Sequence, residues 1–332
     1  MAVVVTGATG HVGANLVRAL LDDGRDVRAV VHDRNHALEG VDVERVAADV
    51  RDPASLEGLF AEGDTVFHLA ALISIRGSQR GRVEAVNIEG VRNVAQASLK
   101  AGVKRLVHFS SIHAFDLRDK SRPVDEGHPR ATSPGQYAYD RSKNGGEQAL
   151  REAMAQGLEA VILHPTGVVG PNDYEPSRMG RVFLQLYHRT IPSLIEGGFD
   201  WVDVRDLVSA AMTAETRGEP GENYIISGHY TTVTELAELA QSVTGVKRPR
   251  ISTPQWVARI GSPFLDLFAK MADKDPLYTS ESLGALRANE NIDHGKASTA
   301  LGHAPRPLVE SVRDIYRDFD RRGMLKPARN SK

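Results

Sequence analysis

The sequence predicts an α/β fold in which a doubly wound parallel sheet is followed by a smaller, mixed α/β cap. Through the first half, short valine-rich runs alternate with amphipathic helical patterns, which is typical of parallel strands joined by crossover helices. After about Gly170 this rhythm breaks, and proline, glycine and charged residues interleave with separate helical patterns. We therefore expect a main domain over residues 1–170, a cap over 171–325 with some segments returning to the main sheet, and a tail over 326–332.

The individual elements follow from hydrophobic periodicity. The run Val3–Val5 is continuously apolar, as expected for a strand that is covered on both faces. Further strands are predicted over Val27–Val31, Val43–Ala47, Thr65–Leu69, Arg105–Phe109 and Ala160–Leu163. Helices are predicted over Val12–Leu21, Pro53–Phe60, Val83–Ala101, Tyr139–Ala155 and Leu308–Phe319.

Composition excludes several function classes. With 41% hydrophobic residues and a formal net charge of -2 over 332 residues, the chain can bury a large core but carries no field that would attract nucleic acid. The absence of cysteine excludes disulfides and thiolate metal sites, and no histidine-carboxylate spacing of a known metal site is present. We therefore expect no metal, and redox chemistry would need an organic cofactor.

No sequence feature indicates export or membrane insertion. The chain enters an apolar run directly after Met1-Ala2 and has no uncharged apolar stretch of roughly 18 residues, so we expect a cytoplasmic protein without an integral membrane segment. An apolar stripe over residues 256–271 has three interpretations. It lines the mouth of a site for a hydrophobic substrate, rests on a membrane surface, or packs against the main domain, and packing is favoured.

A glycine-rich turn follows the first predicted strand and opens the first predicted helix, with the sequence Thr6-Gly7-Ala8-Thr9-Gly10-His11-Val12-Gly13. Glycines allow the backbone to approach a diphosphate, and the free amides at a helix start attract its charge. A tight turn without a ligand is the alternative, but the flanking strand and helix favour a Rossmann-type dinucleotide site. We expect cofactor contacts from Gly7, Thr9, Gly10, His11, Val12 and Gly13.

The reacting residues are predicted at the start of a later helix. Tyr139 and Lys143 are four residues apart, so their side chains project from one face and can meet the same cofactor. A phenol with a pKa of about 10 carries protons poorly at neutral pH, but a nearby ammonium lowers that pKa. Ser111, which follows the predicted strand Arg105–Phe109, is the candidate for holding the substrate oxygen. A solvated Tyr-Lys pair on a helix surface is the alternative.

Together with the glycine spacing, Tyr139-Asp140-Arg141-Ser142-Lys143 resembles the extended short-chain dehydrogenase/reductase family, part of the NAD-dependent epimerase/dehydratase superfamily. The resemblance implies that Tyr139 is the acid or base, that Lys143 tunes it and holds the nicotinamide ribose, and that Ser111 rather than Ser110 is catalytic. It also implies cofactor contacts from Asp49, Val50, Leu69, Ala70, Ala71, Asn87, His164, Pro165, Thr166 and Gly167. For Asp49 the alternative is a turn cap, and for Asn87 an ordinary helix-surface amide.

The end of the second strand bears on the choice between NAD and NADP. An acid there would grip the ribose 2′-hydroxyl of NAD, whereas a 2′-phosphate needs a cation. The position that carries this acid in the family's NAD-type sugar enzymes falls on Val31, which is neutral. His32 sits where the similar dihydroflavonol-reductase branch has an arginine, and Arg34 is close enough to reach a phosphate, although Asp33 opposes this. NADP(H) is favoured over NAD(H), and exposed loop charges are the alternative.

The glycine pair Gly145-Gly146 interrupts the predicted Tyr139–Ala155 helix, at a cost of about 1 kcal/mol per glycine relative to alanine. Close approach of another helix or of the cofactor would compensate for this cost. In the family, the helices that match residues 83–101 and 139–155 pair across a dimer interface. The resemblance therefore implies a homodimer.

Substrate class is inferred from what the chain lacks. Sugar-nucleotide epimerases need an arginine for the substrate diphosphate, but the matching position is Phe199, and Arg205 lies later. The residues after Ser111 are Ile112-His113-Ala114-Phe115 and include no acid pair of the dehydratase kind. The chain is therefore more similar to the dihydroflavonol-4-reductase and 3β-hydroxysteroid dehydrogenase branch, whose substrates are hydrophobic carbonyls or alcohols. His113 and Tyr137 are weak candidates for substrate contact. An epimerase or dehydratase and a non-catalytic NAD(P)-sensing regulator are the alternatives.

Overall fold

The computed structural model describes residues 1–32, 36–254 and 280–326. Strands of the main sheet are β1 Val3–Thr6, β2 Val27–Val31, β3 Glu44–Ala47, β4 Thr65–His68, β5 Arg105–Phe109, β6 Ala160–Pro165 and β10 Asn223–Ile226. All seven are parallel, in the spatial order β10-β6-β5-β4-β1-β2-β3. The strand β10, which comes from the second half of the chain, extends this sheet next to β6.

Two smaller sheets lie in the second half. A three-stranded sheet contains β7 Gly167–Val169, β9 Gly198–Asp203 and β11 His229–Thr232, and a two-stranded one contains β8 Leu194–Ile195 and β12 Ser252–Thr253. The helices, in chain order, are α1 His11–Asp22, α2 Arg82–Glu84, α3 Gly90–Ala101, α4 Ala138–Met154, α5 Arg178–Tyr187, α6 Val204–Arg217, α7 Val233–Thr244, α8 Ser280–Ala285, α9 Gly295–Leu301 and α10 Leu308–Arg321.

Alternate residues of the buried strands enter two different cores. Val3 and Val5 pack on the face that α1 covers, whereas Val4 packs on the opposite face, which α3 covers. This two-sided burial explains why the Val3–Val5 run is apolar without interruption. The predicted doubly wound parallel sheet is therefore confirmed, and a third core, which includes Phe183, Trp201 and Phe319, lies in the cap. The division at residue 170 stays a prediction.

The strand order reverses between β1 and β4, because the chain leaves β1 toward β2 and β3 and returns on the other side to β4. At such a reversal the loops after the two strands diverge and leave a crevice at their carboxyl ends. The glycine turn after β1 and the segment after His68 both border this crevice. The topology therefore places the predicted cofactor residues at one edge of the sheet.

Two helix predictions need correction. The predicted helix Pro53–Phe60 is wrong, since only a 3-10 turn forms over Pro53–Leu56. Asp52 caps that turn by accepting from the amide of Ala54, and Gly58 then takes a left-handed φ of +71°, which prevents continuation. The predicted helix Val83–Ala101 forms, but residues Ala85–Glu89 are a π-helical turn.

Some expectations lie outside the described residues, namely Arg34, the apolar stripe over 256–271 and nearly all of the tail. Among the residues that the structure describes, no helix is both long and apolar enough to span a bilayer. In the same residues no group of three potential metal-binding side chains converges. The predicted helix Leu308–Phe319 is confirmed by α10.

Candidate active site

Three glycines shape the turn between β1 and α1, each in a different way. Gly7 has a φ of +69°, and a Cβ atom there would lie 2.7 Å from the amide nitrogen of Ala70. A Cβ on Gly13 would lie 2.2 Å from the carbonyl oxygen of Gly7, so α1 starts in close contact with the turn. A Cβ on Gly10 would meet only that same oxygen, at 3.4 Å. The turn is therefore closed on two sides and open above Gly10, which is where a diphosphate would approach.

The N-terminus of α1 is suited to bind an anion. Its N-cap is Gly10, which offers no side chain to the first amides, and the first turn has no acidic residue. Thr9, His11 and Val12 remain partly exposed beside it. Free amides and the positive end of the helix dipole attract a phosphate group. The predicted residues of the turn therefore fit the diphosphate of a dinucleotide.

A charged cluster lies where β2 and β3 end. Nε2 of the exposed His32 lies 3.4 Å from Oδ2 of Asp49. The guanidinium of Arg51 donates to both oxygens of the same carboxylate. The hydrogen bond from Arg51 lowers the pKa of Asp49 to about 2, against the opposing effect of burial. Sequence reasoning missed Arg51, although its position two residues after Asp49 favours a carboxylate-guanidinium turn. Val50 is buried, and its side chain lies against Gly90.

Asn87 is a buried residue rather than a surface amide. Its side chain accepts from the amide of Leu72, donates to the carbonyl of Leu72 and donates to the hydroxyl of Ser142 on α4. These bonds join the segment that follows Leu69, Ala70 and Ala71 to the helix that carries Tyr139. The π-helical turn that holds Asn87 also lies against Gly146, where a Cβ would be 2.2 Å from the carbonyl of Asn87. The glycine pair thus permits the close helix approach that the sequence predicted.

The hydroxyl group of Ser111 lies close enough to that of Tyr139 to affect its pKa. Ser111 follows β5 and Tyr139 lies in the first turn of α4, so the contact depends on how α4 packs on the sheet edge. Burial raises the pKa of Tyr139 to about 12, and the hydroxyl of Ser111 opposes that rise. The phenol therefore holds its proton firmly, and the lowering of its pKa expected from Lys143 is not seen.

Lys143 is buried one turn further along α4. Its ammonium donates to the carbonyl of Phe109 at 2.9 Å, and burial lowers its pKa to about 8. Two stacked imidazoles, His68 and His108, lie in the same region with ring centroids 5.3 Å apart. Burial lowers the pKa of each, with the charge of Lys143 adding to the effect. Sequence reasoning missed this neutral histidine pair as part of the site.

Glu147 anchors a buried polar network on the same face of α4. The hydroxyl of Ser110 donates to its Oε1, Arg130 Nη1 lies 3.1 Å from its Oε2, and His164 Nδ1 lies 3.4 Å from its Oε1. Glu147 is 2% exposed. The network fixes the strand end that carries Ser110 and Ser111 against α4. Sequence reasoning missed Glu147 too, although its position four residues after Lys143 puts it on the face of Tyr139.

The segment His164-Pro165-Thr166-Gly167 is too deeply buried for its side chains to contact a ligand directly. His164 is fully buried, and its two ring nitrogens are satisfied by the carbonyl of Ser111 and the amide group of Asn223. The hydroxyl of Thr166 donates to Asp200 at 2.6 Å. A Cβ on Gly167 would lie 2.5 Å from the indole of Trp201. Contacts from this segment to a cofactor would therefore have to come from its backbone.

A cavity of about 700 Å³ opens beside Tyr139. His113 and Tyr137, the weak substrate candidates, both line it. The lining also includes the charged or polar side chains of Asp140, Asp116, Arg118, Lys120, Gln136 and Arg287 and the apolar side chains of Phe115, Leu117, Leu283, Ala285 and Ala288. The Nδ1 of His113 lies 3.0 Å from Asp140 Oδ1, and its ring stacks on Phe199. Arg205 is committed elsewhere, since its guanidinium donates to Asp203 and Asp314.

Comparisons with known proteins agree with this architecture. A family model described as the NAD dependent epimerase/dehydratase family matches residues 3–227. A protein of Methylococcus capsulatus named sterol demethylase protein B is 33% identical over 331 residues, covering 98% of this chain and 100% of that protein. A putative dihydroflavonol 4-reductase of Synechocystis is 28% identical, with 97% and 95% covered. The crystal structure of gox2253 superposes with a TM-score of 0.84 at 30% identity, with 98% and 99% covered.

Further relatives are named as a 3-beta-hydroxysteroid dehydrogenase and a UDP-glucose 4-epimerase, both from Mycolicibacterium species. Since the family model covers more than half of the chain, the resemblance inferred from the glycine turn and the Tyr-Lys motif is confirmed. The family uses NAD(P). The chain therefore belongs to the NAD-dependent epimerase/dehydratase family and is an enzyme of the extended short-chain dehydrogenase/reductase type.

Proposed function

We propose that the protein interconverts a hydrophobic ketone or aldehyde and the corresponding alcohol, with NADP(H) favoured as the cofactor. The observation that carries the proposal is that Tyr139 meets Ser111 one helical turn before the buried Lys143, at the same sheet edge as the open glycine turn. An acid, an oxygen-holding hydroxyl and a cation next to a dinucleotide site are the groups that carbonyl reduction requires.

A bound NADPH supplies the hydride for the carbonyl carbon. Ser111 holds the carbonyl oxygen, on which negative charge develops, and Tyr139 donates the proton to it. Because burial raises the pKa of Tyr139 to about 12, the phenol carries that proton throughout the neutral range. Lys143 would hold the nicotinamide ribose, as its counterpart does in the family, and its positive charge would favour the phenolate that remains. Oxidation of the alcohol is the reverse.

The cavity supports a hydrophobic substrate. Apolar groups from Phe115, Leu117 and Leu283 form one part of its lining, and charged or polar groups, among them His113, Asp140, Arg118 and Lys120, form the rest. In the family's sugar-nucleotide enzymes an arginine at one defined position binds the substrate diphosphate. At the position where the family's epimerases have that arginine the chain has the buried Phe199, and Arg205 already pairs with two carboxylates.

The preference for NADP rests on the strand end of β2. Val31 is buried and neutral, and the next residue, His32, is exposed. No carboxylate therefore occupies the position that grips the ribose in the family's NAD-type sugar enzymes, while His32 can approach a 2′-phosphate. Titration with NADPH and NADH, followed by nicotinamide fluorescence, tests this preference. Tighter binding of NADH would overturn it.

A homodimer is the favoured assembly. The helical segments 82–101 and 138–154 pack against each other within the chain, and the ion pair Arg92–Glu152 joins them at the surface. In the family this pair of helices forms the subunit interface. Light scattering during gel filtration should give twice the monomer mass, and a monomer at micromolar concentration would contradict the proposal.

The decisive experiment measures cofactor absorbance with ketones and alcohols of graded size. Tyr139→Phe should reduce turnover at least about 100-fold, because general acid catalysis contributes that much or more. Tyr187→Phe, a tyrosine of α5 away from the cavity lining, is the matched control. If Tyr139→Phe keeps most of the turnover, the assignment fails. Substrate conversion without net cofactor change would indicate an epimerase, and cofactor binding without any conversion would indicate a regulator.

A further inference from the structure

We propose that His113, oriented by Asp140, binds a hydroxyl group on the carbon next to the reacting carbon, so that the preferred substrates are α-hydroxy ketones or the matching 1,2-diols. This inference deepens the proposed function and rests on it. The residues concerned lie at the polar edge of the cavity, directly beside the Tyr139 and Ser111 pair.

The position of His113 is fixed from four directions. Its amide donates to Ser111 Oγ at 3.2 Å, and its Nδ1 lies 3.0 Å from Asp140 Oδ1. Its ring stacks on Phe199 at 5.8 Å between centroids with an interplanar angle of 16°, and meets Tyr139 at 5.7 Å and 63°. A ring held in this way keeps one plane and one orientation. A ligand therefore meets a preorganised group, which lowers the entropic cost of binding.

Asp140 determines what His113 can offer to a ligand. A carboxylate only accepts hydrogen bonds, so the neutral ring carries its hydrogen on Nδ1, and Nε2 is left with a lone pair. Within the described part of the chain, Nε2 has no hydrogen-bond partner and is not among the buried unpaired atoms. His113 lines the cavity, so this acceptor is available to a ligand bound there.

The geometry limits which substrate group can use this acceptor. Ser111 and Tyr139 hold the reacting oxygen, and both lie next to His113 in the structure. A group that reaches Nε2 must therefore be attached close to the reacting carbon, and it must donate a hydrogen bond. A hydroxyl on the adjacent carbon meets both conditions, whereas an ether oxygen at the same place does not.

The test compares 2-hydroxypropiophenone with 2-methoxypropiophenone, which keeps the activating oxygen but removes the donor. Wild type should reduce the hydroxy ketone with a kcat/KM about tenfold higher, equivalent to one good hydrogen bond of about 1.4 kcal/mol. His113→Phe keeps an aromatic ring against Phe199 and should bring the ratio close to one. Asp140→Asn can donate to Nδ1 and would place the hydrogen on Nε2, so the ratio should fall or reverse. His188→Phe, an exposed histidine of another helix end, should leave the ratio unchanged.

Each result decides a separate point. If wild type reduces both ketones equally, or if His113→Phe lowers both rates by the same factor, hydroxyl recognition is wrong while the Tyr139 assignment stands. If wild type reduces no ketone, or if Tyr139→Phe keeps most of the turnover on those that it reduces, the proposed function fails and the inference fails with it. A readout independent of turnover is the 15N spectrum of the His113 ring, identified by its loss in His113→Phe. A protonated Nε2 in the neutral ring would overturn the inference.

Discussion

Replacing Glu147 by glutamine tests whether the buried network on α4 positions the catalytic strand end. Glutamine has nearly the same shape, and its amide oxygen can still accept from the hydroxyl of Ser110. It removes only the negative charge. Arg130, whose guanidinium lies 3.1 Å from Glu147, then loses its ionic partner while it remains three-quarters buried against Phe115.

The expected cost follows from the burial of the two partners. Breaking a buried ion pair by removing one charge costs about 3–5 kcal/mol in the free energy of unfolding. The Glu147 side chain is 3% exposed, but that of Arg130 is 24% exposed, so water screens part of the effect and we expect about 2–4 kcal/mol. With an unfolding entropy of about 2.1 cal/mol/K per residue, this corresponds to a decrease in Tm of about 3–6 °C for a chain of this length.

Thermal unfolding by calorimetry or circular dichroism measures this effect. Glu152→Gln is the matched control, because Glu152 lies on the same helix and pairs with Arg92 at the surface, with a side chain 55% exposed. An exposed pair contributes about 0–1 kcal/mol, so the control should change Tm by less than about 2 °C. The kcat of Glu147→Gln should also decrease, since the network holds the segment that carries Ser111.

A double variant separates the charge from the packing. Glu147→Gln combined with Arg130→Met removes both charges and keeps a long apolar side chain over Phe115. We expect it to be more stable than Glu147→Gln alone, because no unpaired guanidinium is left buried. The reasoning is refuted if Glu147→Gln unfolds within about 1 °C of wild type, or if the effects of the two substitutions simply add.

Three further predictions concern the cofactor turn, the pH dependence and the cap. Gly10→Ala should leave Tm unchanged, since its Cβ meets only one atom at 3.4 Å, but should weaken NADPH binding at least about tenfold because the diphosphate loses its approach. Gly13→Ala should lower both Tm and binding, since its Cβ would lie 2.2 Å from Gly7, and equal behaviour of the two variants in melting and fluorescence titration would count against these separate roles. Burial lowers the pKa of Lys143 to about 8, so its ammonium is present below that pH and lost above it, and NADPH affinity should fall as the pH rises through about 8. Lys143→Arg, which stays charged, should remove that decline, and an unchanged pH profile would argue against the role of Lys143. Gly167→Ala should lower the free energy of unfolding by about 1–3 kcal/mol, because its Cβ would lie 2.5 Å from Trp201, and urea unfolding with no shift of the midpoint would contradict that packing.

Local patterns in the sequence are sufficient for six of the seven strands of the main sheet and for the glycine turn. Continuous apolar runs such as Val3–Val5 predict strands buried on both faces, because a parallel sheet covered by helices leaves no polar face. The turn could be predicted because its glycines act over a few adjacent residues. The same reasoning failed at Pro53–Phe60, where apolar spacing resembles a helix but Asp52 and Gly58 limit the segment to one 3-10 turn.

Residues that act only through distant partners were not predicted. Arg130 carries no local signal of its own, and it gains its role from Glu147, a carboxylate that the fold places beside it. Glu147 could have been found from its spacing after Lys143, but the spacing alone does not say that Ser110 and His164 converge on it. Likewise, the sequence around His108 does not show that both of its ring nitrogens are buried without a hydrogen-bond partner among the described residues. That depends on how the neighbouring strands and α4 pack around it.

The sequence by itself predicted the strands of the first half, most of the helices between them and the glycine turn, and it proposed the Tyr-Lys-Ser set, since each lies in short segments whose periodicity or spacing has a direct physical meaning. Only the tertiary structure decided that Tyr139 meets Ser111, that Asp140 orients His113, and that His113 and Asp140 line a cavity of mixed apolar and charged side chains. These contacts join segments that are many residues apart, and their geometry is set by how α4 packs on the sheet, which no local pattern encodes.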